Sequence, residues 1–204
     1  MLLQIKAVKL SPSKPFSWAS GWKSPIYCDN RKTLSYPPVR TFIRQQFVHL
    51  IQSEFGRPDM IAGVATGGIA HGMLVAHDMG LPFIYVRTSA KEHGLRNQVE
   101  GDLSVGRNVV VVEDLVSTGG SSLQAVNALR DAGLDVKGMV SIFTYGFDVA
   151  RAAFEEARVK MHALTNYNIL LDQALREGYI TEKDLAPLNA WRKDPANWNA
   201  PVQA

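Results

Sequence analysis

An α/β fold, with a parallel sheet covered by helices and a small β hood at the N-terminus, is what this sequence of 204 residues predicts. Three observations carry that expectation. Short, β-rich apolar runs recur along the middle of the chain: "MIAGVATGG" from Met60, "LPFIYVRT" from Leu81, "NVVVVED" from Asn108 and "KGMVSIFTYG" from Lys137. Each ends in polar or glycine residues, as strands of a buried parallel sheet do. The stretches between them are compatible with helices, and strands alternating with helices place crossovers on both faces.

In chain order, "KPFSWASGWKSPIYCDNR" mixes prolines and glycine with aromatics, which predicts the hood. Pro37 and Pro38 suit a helix start, and Val39, Phe42, Ile43, Phe47, Leu50 and Ile51 recur at helical spacing as far as Phe55. Further helices are expected over Ile69 to Met79, Gly120 to Ala132 with Gly133 as its stop, and Phe147 to Ala157. A last strand is read in "VKMHALT". Helix follows in "ILLDQALREGYITEKDLAPLNAW", where Thr181 is placed as an N-cap and Asp184 as a first-turn acid. One domain is expected over residues 1–204, with a hood of about 1–36, a core of about 37–165 and a helical tail of about 166–204.

Composition narrows the class. Apolar residues make up 46% and charged residues 20% of the chain, an ordinary globular balance with no apolar run long enough to cross a bilayer. The N-terminal stretch carries lysines and no small-residue cleavage site, so a cytoplasmic protein with no membrane partner is expected. A net charge of +3 from scattered Lys and Arg does not demand nucleic acid and suits a small polyanionic substrate. Cys28 is the single cysteine and cannot form an intrachain disulfide; packing is its expected role rather than nucleophilic attack.

The chemistry concentrates in "VVVVEDLVSTGGSS", Val109 to Ser122. Ligands of open α/β sheets collect at the carboxyl ends of strands, where Glu113 and Asp114 are expected. Ser117, Thr118, Gly119, Gly120 and Ser121 then open a helix, offering backbone N–H groups and hydroxyls to an anion at the positive end of the helix dipole. Two acids beside a phosphate cradle need another partner, and vicinal sugar hydroxyls or a magnesium ion serve. A ribose 5-phosphate satisfies both halves. Two glycines with no G-x-G-x-x-G, and no Lys after them, set the string apart from dinucleotide-binding and Walker loops.

Four hydrophobics, two acids, two variable residues and "STGGS" resemble the phosphoribosyl-diphosphate motif of type I phosphoribosyltransferases. That resemblance implies the type I phosphoribosyltransferase fold, Mg²⁺ bound mainly through substrate with no direct protein ligand, and a ribose held by Glu113 and Asp114. It also implies a diphosphate substrate bound along Glu113, Asp114, Leu115, Val116, Ser117, Thr118, Gly119, Gly120 and Ser121. The exposed polar segment "YVRTSAKEHGLRNQVEG" resembles the catalytic loop of the orotate branch of the family, with Arg87, Lys91 and His93 at the matching spacing on the diphosphate. In that branch the loop serves the neighbouring subunit's site, which implies a homodimer with shared active sites. The hood resembles the same branch through Ser20, Gly21, Ser24, Pro25, Tyr27, Asp29 and Arg31.

The reaction this resemblance implies transfers ribose 5-phosphate from 5-phosphoribosyl 1-diphosphate to N1 of orotate, with pyrophosphate leaving. Lys91, Arg87, His93 and Asp114 are the candidate catalytic residues, and Ser117, Lys23, Tyr27 and Arg31 the candidate orotate contacts. Where family members carry lysines or arginines, this chain has Ala19, Thr88, "VATGGIAHG" without a lysine, and Tyr145. Lys23 and His71 are the replacements on offer, His71 with packing or capping as its alternative role. The rival readings are a phosphoribosyltransferase for adenine or xanthine, and a noncatalytic nucleotide-binding regulator, which should show a basic nucleic-acid face.

Overall fold

A computed structural model describes residues 1–18, 21–87 and 98–198. Its centre is a six-stranded sheet. The strands in chain order are β5 (Met60–Val64), β6 (Phe83–Val86), β7 (Val99–Glu100), β8 (Asn108–Val116), β9 (Asp135–Thr144) and β10 (Met161–Asn166). They lie side by side as β10-β9-β8-β5-β6-β7. All neighbours are parallel except β6 and β7, which run antiparallel. The parallel sheet expected from sequence therefore gains a two-residue antiparallel edge, too short for any periodicity to announce it.

The four consecutive valines explain why β8 sits at the centre. Side chains alternate across a strand. Val109 and Val111 therefore join one core with α3 (Gly120–Asp131) and Phe154 of α4 (Asp148–Glu156), while Val110 and Val112 join another with α1 (Pro37–Phe55) and α2 (Gly67–Met79). All four are fully buried, as a strand covered on both faces must be. On α1, Val39, Ile43, Phe47 and Ile51 repeat every four residues and make up its buried face.

Helix α2 begins two residues earlier than its sequence pattern suggests, at Gly67. The glycines permit this: a Cβ on Gly68 would collide with the Val112 carbonyl of β8, so only glycine lets the first turn press on the strand.

The N-terminal hood consists of two antiparallel pairs, β1 (Val8–Leu10) with β4 (Ile26–Cys28) and β2 (Phe16–Ser17) with β3 (Lys23–Ser24). The segment read as helical near the C-terminus forms two helices, α5 (Tyr167–Arg176) and α6 (Glu182–Lys193), separated at Gly178 by a left-handed φ of 73°. Thr181 starts α6, and its N–H and hydroxyl both donate to the Asp184 carboxylate, at 2.8 and 2.9 Å. Both helices clamp the hood. Trp191, fully buried, donates its indole N–H to the Lys23 carbonyl at 3.1 Å and packs edge-on against Trp18 and Tyr145, with centroids 5.7 and 5.6 Å away. Burying side chains of this size contributes about 2–3 kcal/mol each, and aromatic pairing about 1 kcal/mol more. A hood of two- and three-residue strands is thus held by its contact with the tail.

Candidate active site

The strand order reverses between β5 and β8, because the chain leaves β5 for β6 on one side and later returns to place β8 on the other. Crevices at the carboxyl ends of strands form at such a reversal. A cavity of about 400 Å³ lies there, bounded by Ala65 to Gly67 after β5, by Glu113 to Leu115, and by Ser117 and Ser121. Arg31 and Asp29 of the hood close it. A second cavity of about 370 Å³ opens beside it under the hood, walled by Trp18, Tyr27 and Tyr145. Cys28, Leu115 and Ser117 border both, so the two share one junction. A larger groove of about 820 Å³ runs between α4 and β10, away from the acid pair.

The acids divide their work. Glu113 turns inward, 5% exposed, and its carboxylate accepts the Asp114 N–H at 2.9 Å and the Ser122 hydroxyl at 3.2 Å. Burial, then the neighbouring Asp114 charge, pushes its pKa well above the ordinary carboxylate range. Asp114 remains half-buried at the cavity wall, and burial raises its pKa as well. Its carboxylate occupies the place where a Cβ on Gly67 would stand, so glycine at the start of α2 is what makes room for the acid.

The turn after β8 has the form an anion needs. Gly119 adopts φ 86°, a left-handed conformation that favours glycine, and Gly120 is the first residue of α3. Ser117 and Ser121 border the cavity, whereas Val116 is fully buried, pairs with Thr144 of β9 and accepts the Tyr145 N–H at its carbonyl, so it serves the sheet. Leu115 faces both cavities.

The remaining candidates scatter. Tyr27 lines the aromatic cavity; Lys23, exposed, donates to Ser17 Oγ at 2.8 Å, which places its ammonium beside a lining residue of that cavity. Arg31 borders the acid-lined cavity and pairs with Asp29 at 2.7 Å. Arg87 follows β6 and stands 3.8 Å from Glu100. Lys91 and His93, like Ser20, lie outside the described residues.

His71 is not the replacement cation offered by the sequence. It is 1% exposed, its Nε2 is 3.1 Å from Thr33 Oγ1, and burial lowers its pKa to about 4, so the ring is neutral. Burial and the nearby Asp114 and Asp29 charges push the Cys28 thiol up, which keeps it protonated and unreactive, in line with its expected packing role. Trp18 had no sequence signal beyond its aromaticity, and Tyr145 signalled only a missing arginine; both prove to be walls of the aromatic cavity.

Comparison with known proteins agrees with this fold. The phosphoribosyl transferase domain family matches residues 39–160. The chain belongs to the phosphoribosyltransferase family. It is 61% identical over 199 residues to the orotate phosphoribosyltransferase of Bacteroides thetaiotaomicron, covering 98% of this chain and 94% of that protein. The orotate phosphoribosyltransferase of Bacteroides fragilis is 60% identical over 197 residues, covering 97% and 93%. Among solved structures, the orotate phosphoribosyltransferase from Aeropyrum pernix superposes with a TM-score of 0.76 at 27% identity, over 88% of this chain and 97% of that one.

Proposed function

We infer that this chain is an orotate phosphoribosyltransferase, transferring ribose 5-phosphate from 5-phosphoribosyl 1-diphosphate to N1 of orotate. The products are orotidine 5′-monophosphate and pyrophosphate, so the enzyme adds the ribose phosphate in pyrimidine synthesis. The observation that carries this reading is the junction of two unlike cavities. One offers a carboxylate and a helix N-terminus, which suit a phosphorylated sugar, and the other offers aromatic walls, which suit a flat base. Leu115 and Ser117 sit where C1′ and N1 would meet.

The deprotonated N1 of orotate attacks C1′ as the bond from C1′ to the diphosphate oxygen breaks, through a transition state with oxocarbenium character. No enzyme nucleophile is required, and the protonated Cys28 thiol is not one. The protein's work is positioning and charge stabilisation. Asp114 faces the ribose hydroxyls and balances the developing cation, while Glu113 holds the turn from beneath. Ser117 to Ser121 receive the 5′-phosphate, Tyr27 covers the base, and Lys23 or Arg31 faces the orotate carboxylate. Arg87, Lys91 and His93 act on the leaving diphosphate.

The donor set fits Mg²⁺ held mainly through substrate. Asp114 offers a hard carboxylate oxygen at the wall of the cavity proposed for the ribose, which suits an ion carried in by the substrate. When bound, the ion neutralises diphosphate charge. We place the enzyme in the cytoplasm, consistent with its single unpaired cysteine. Among the described residues no helix is long and apolar enough to cross a membrane.

Consumption of orotate, adenine and xanthine with phosphoribosyl diphosphate and Mg²⁺ tests the base. Orotate alone is expected to disappear; turnover of a purine but not orotate would overturn the assignment.

The active sites are shared across a homodimer, with Lys91 of one chain serving Asp114 of the other, a reading supported by the spacing of Arg87, Lys91 and His93. Mixing inactive Lys91→Ala and Asp114→Asn chains, with exchange verified by a tag, is expected to restore about a quarter of all sites. Verified heterodimers that stay inactive would show that the loop serves its own chain.

A further inference from the structure

Asn30 has no part in the motifs above, yet the structure gives it a direct hold on the acid pair. It opens a short 3-10 turn, Asn30–Ser35, and is fully buried. Its Nδ2 donates to the Asp114 carbonyl at 2.6 Å, across 84 residues of sequence. With Glu113 accepting the Asp114 N–H at 2.9 Å, both polar groups of Asp114's backbone are tied to side chains.

Asn30 is itself braced. The buried Thr33 hydroxyl donates to the Asn30 carbonyl at 2.5 Å. Its one hydrogen is then committed, so at its 3.1 Å contact with His71 Nε2 it accepts, and the neutral imidazole carries its proton on Nε2. His71 lies on α2, whose first residue, Gly67, seats the Asp114 carboxylate. The contacts therefore close a ring: from Asp114 through Asn30, Thr33 and His71 into α2, and from Gly67 back to Asp114. Among the described residues, His71 Nδ1 is buried with no hydrogen-bond partner.

We propose that Asn30 is a positioning residue for the reaction, fixing the strand end so that the Asp114 carboxylate meets the ribose of phosphoribosyl diphosphate, with Thr33 and His71 as its support. This rests on the reading that Asp114 contacts the ribose. Base recognition lies in the other cavity, so KM for orotate should be spared.

The test is steady-state kinetics on the full-length enzyme with each substrate varied in turn, corrected for folded fraction by thermal melts, for Asn30→Ala, Thr33→Val, Thr33→Ser and, in parallel, Asp114→Asn. For Asn30→Ala, kcat/KM for phosphoribosyl diphosphate is expected to fall about tenfold or more, while KM for orotate stays within about twofold of wild type. Thr33→Val should move the same parameter in the same direction, and Thr33→Ser, which keeps the hydroxyl, should restore it. If Asn30→Ala does not fold, the Thr33 pair decides by the same criterion. A folded Asn30→Ala enzyme with unchanged kcat/KM, a KM for orotate raised about tenfold or more, or a Thr33→Ser enzyme as poor as Thr33→Val would each overturn the proposal. If Asp114→Asn is impaired while Asn30→Ala is not, the positioning role alone fails; if Asp114→Asn is itself unimpaired, the ribose reading fails with it.

Discussion

Asp114→Asn is expected to yield a folded protein, at least as heat-stable as wild type, whose kcat is lower by about 10²–10³-fold. The loss follows from charge. An amide matches the carboxylate in shape but cannot balance a developing oxocarbenium ion, so the penalty falls on the transition state more than on substrate binding. The stability effect has the opposite sign. Burial raises the pKa of Asp114 above its ordinary value, which means the fold favours the protonated form. Such a group contributes stability at low pH and loses it as pH rises through the raised value. Wherever the carboxylate is ionised, as its role at the developing cation requires, it costs stability beside Glu113, and a neutral amide removes that cost. Activity and stability should move apart, as they do where a site holds charge for function. Kinetics and thermal melts on the same preparation check both halves. Near-normal turnover in a folded variant would remove Asp114 from the chemistry, and a steep drop in Tm would make its carboxylate a structural group.

The sequence made these acids legible because their signal is local. Four valines need burial on both faces, two acids need a reason to follow them, and a glycine turn opening a helix supplies one within a single 14-residue string. The layered core was legible for the same reason: periodicity and stop signals act over one helix or strand. What stayed hidden depends on residues far apart in sequence. Nothing in "VEDL" says that Glu113 turns inward while Asp114 faces the cavity; that division requires Ser122 beneath one and Gly67 beside the other. Asn30 sits at the variable position of the hood signature, and only the tertiary fold brings it to Asp114. His71 shows the same limit from the other side. A histidine at a helix start near a phosphate turn can be read as a cation or as a packing residue, and only burial and the Thr33 contact decide for a neutral, packed ring. The two-residue β7 is beyond any pattern.

The glycine turn offers the cleanest test of where phosphate binds, provided the right glycine is changed. A Cβ on Gly119 would lie 3.0 Å from the Phe154 ring, and its φ of 86° disfavours any side chain, so Gly119→Val would damage folding and binding together. Gly120 differs. It is exposed at the first position of α3, and nothing lies within 4 Å of a Cβ placed there. Valine is no worse a helix residue than glycine, so Gly120→Val should leave Tm within a few degrees of wild type. The new side chain would instead stand over the first turn, where the amides of the helix N-terminus must approach an anion. Each charge-assisted hydrogen bond lost is worth about 1.5–3 kcal/mol, so phosphoribosyl diphosphate affinity should weaken by about 10- to 100-fold. Calorimetric titration of the folded variant measures this directly. Because the aromatic cavity is lined elsewhere, by Trp18, Tyr27 and Tyr145, orotate binding should change far less. Unchanged diphosphate affinity in Gly120→Val would move the 5′-phosphate off the α3 N-terminus, and with it the reason for two glycines after the acid pair.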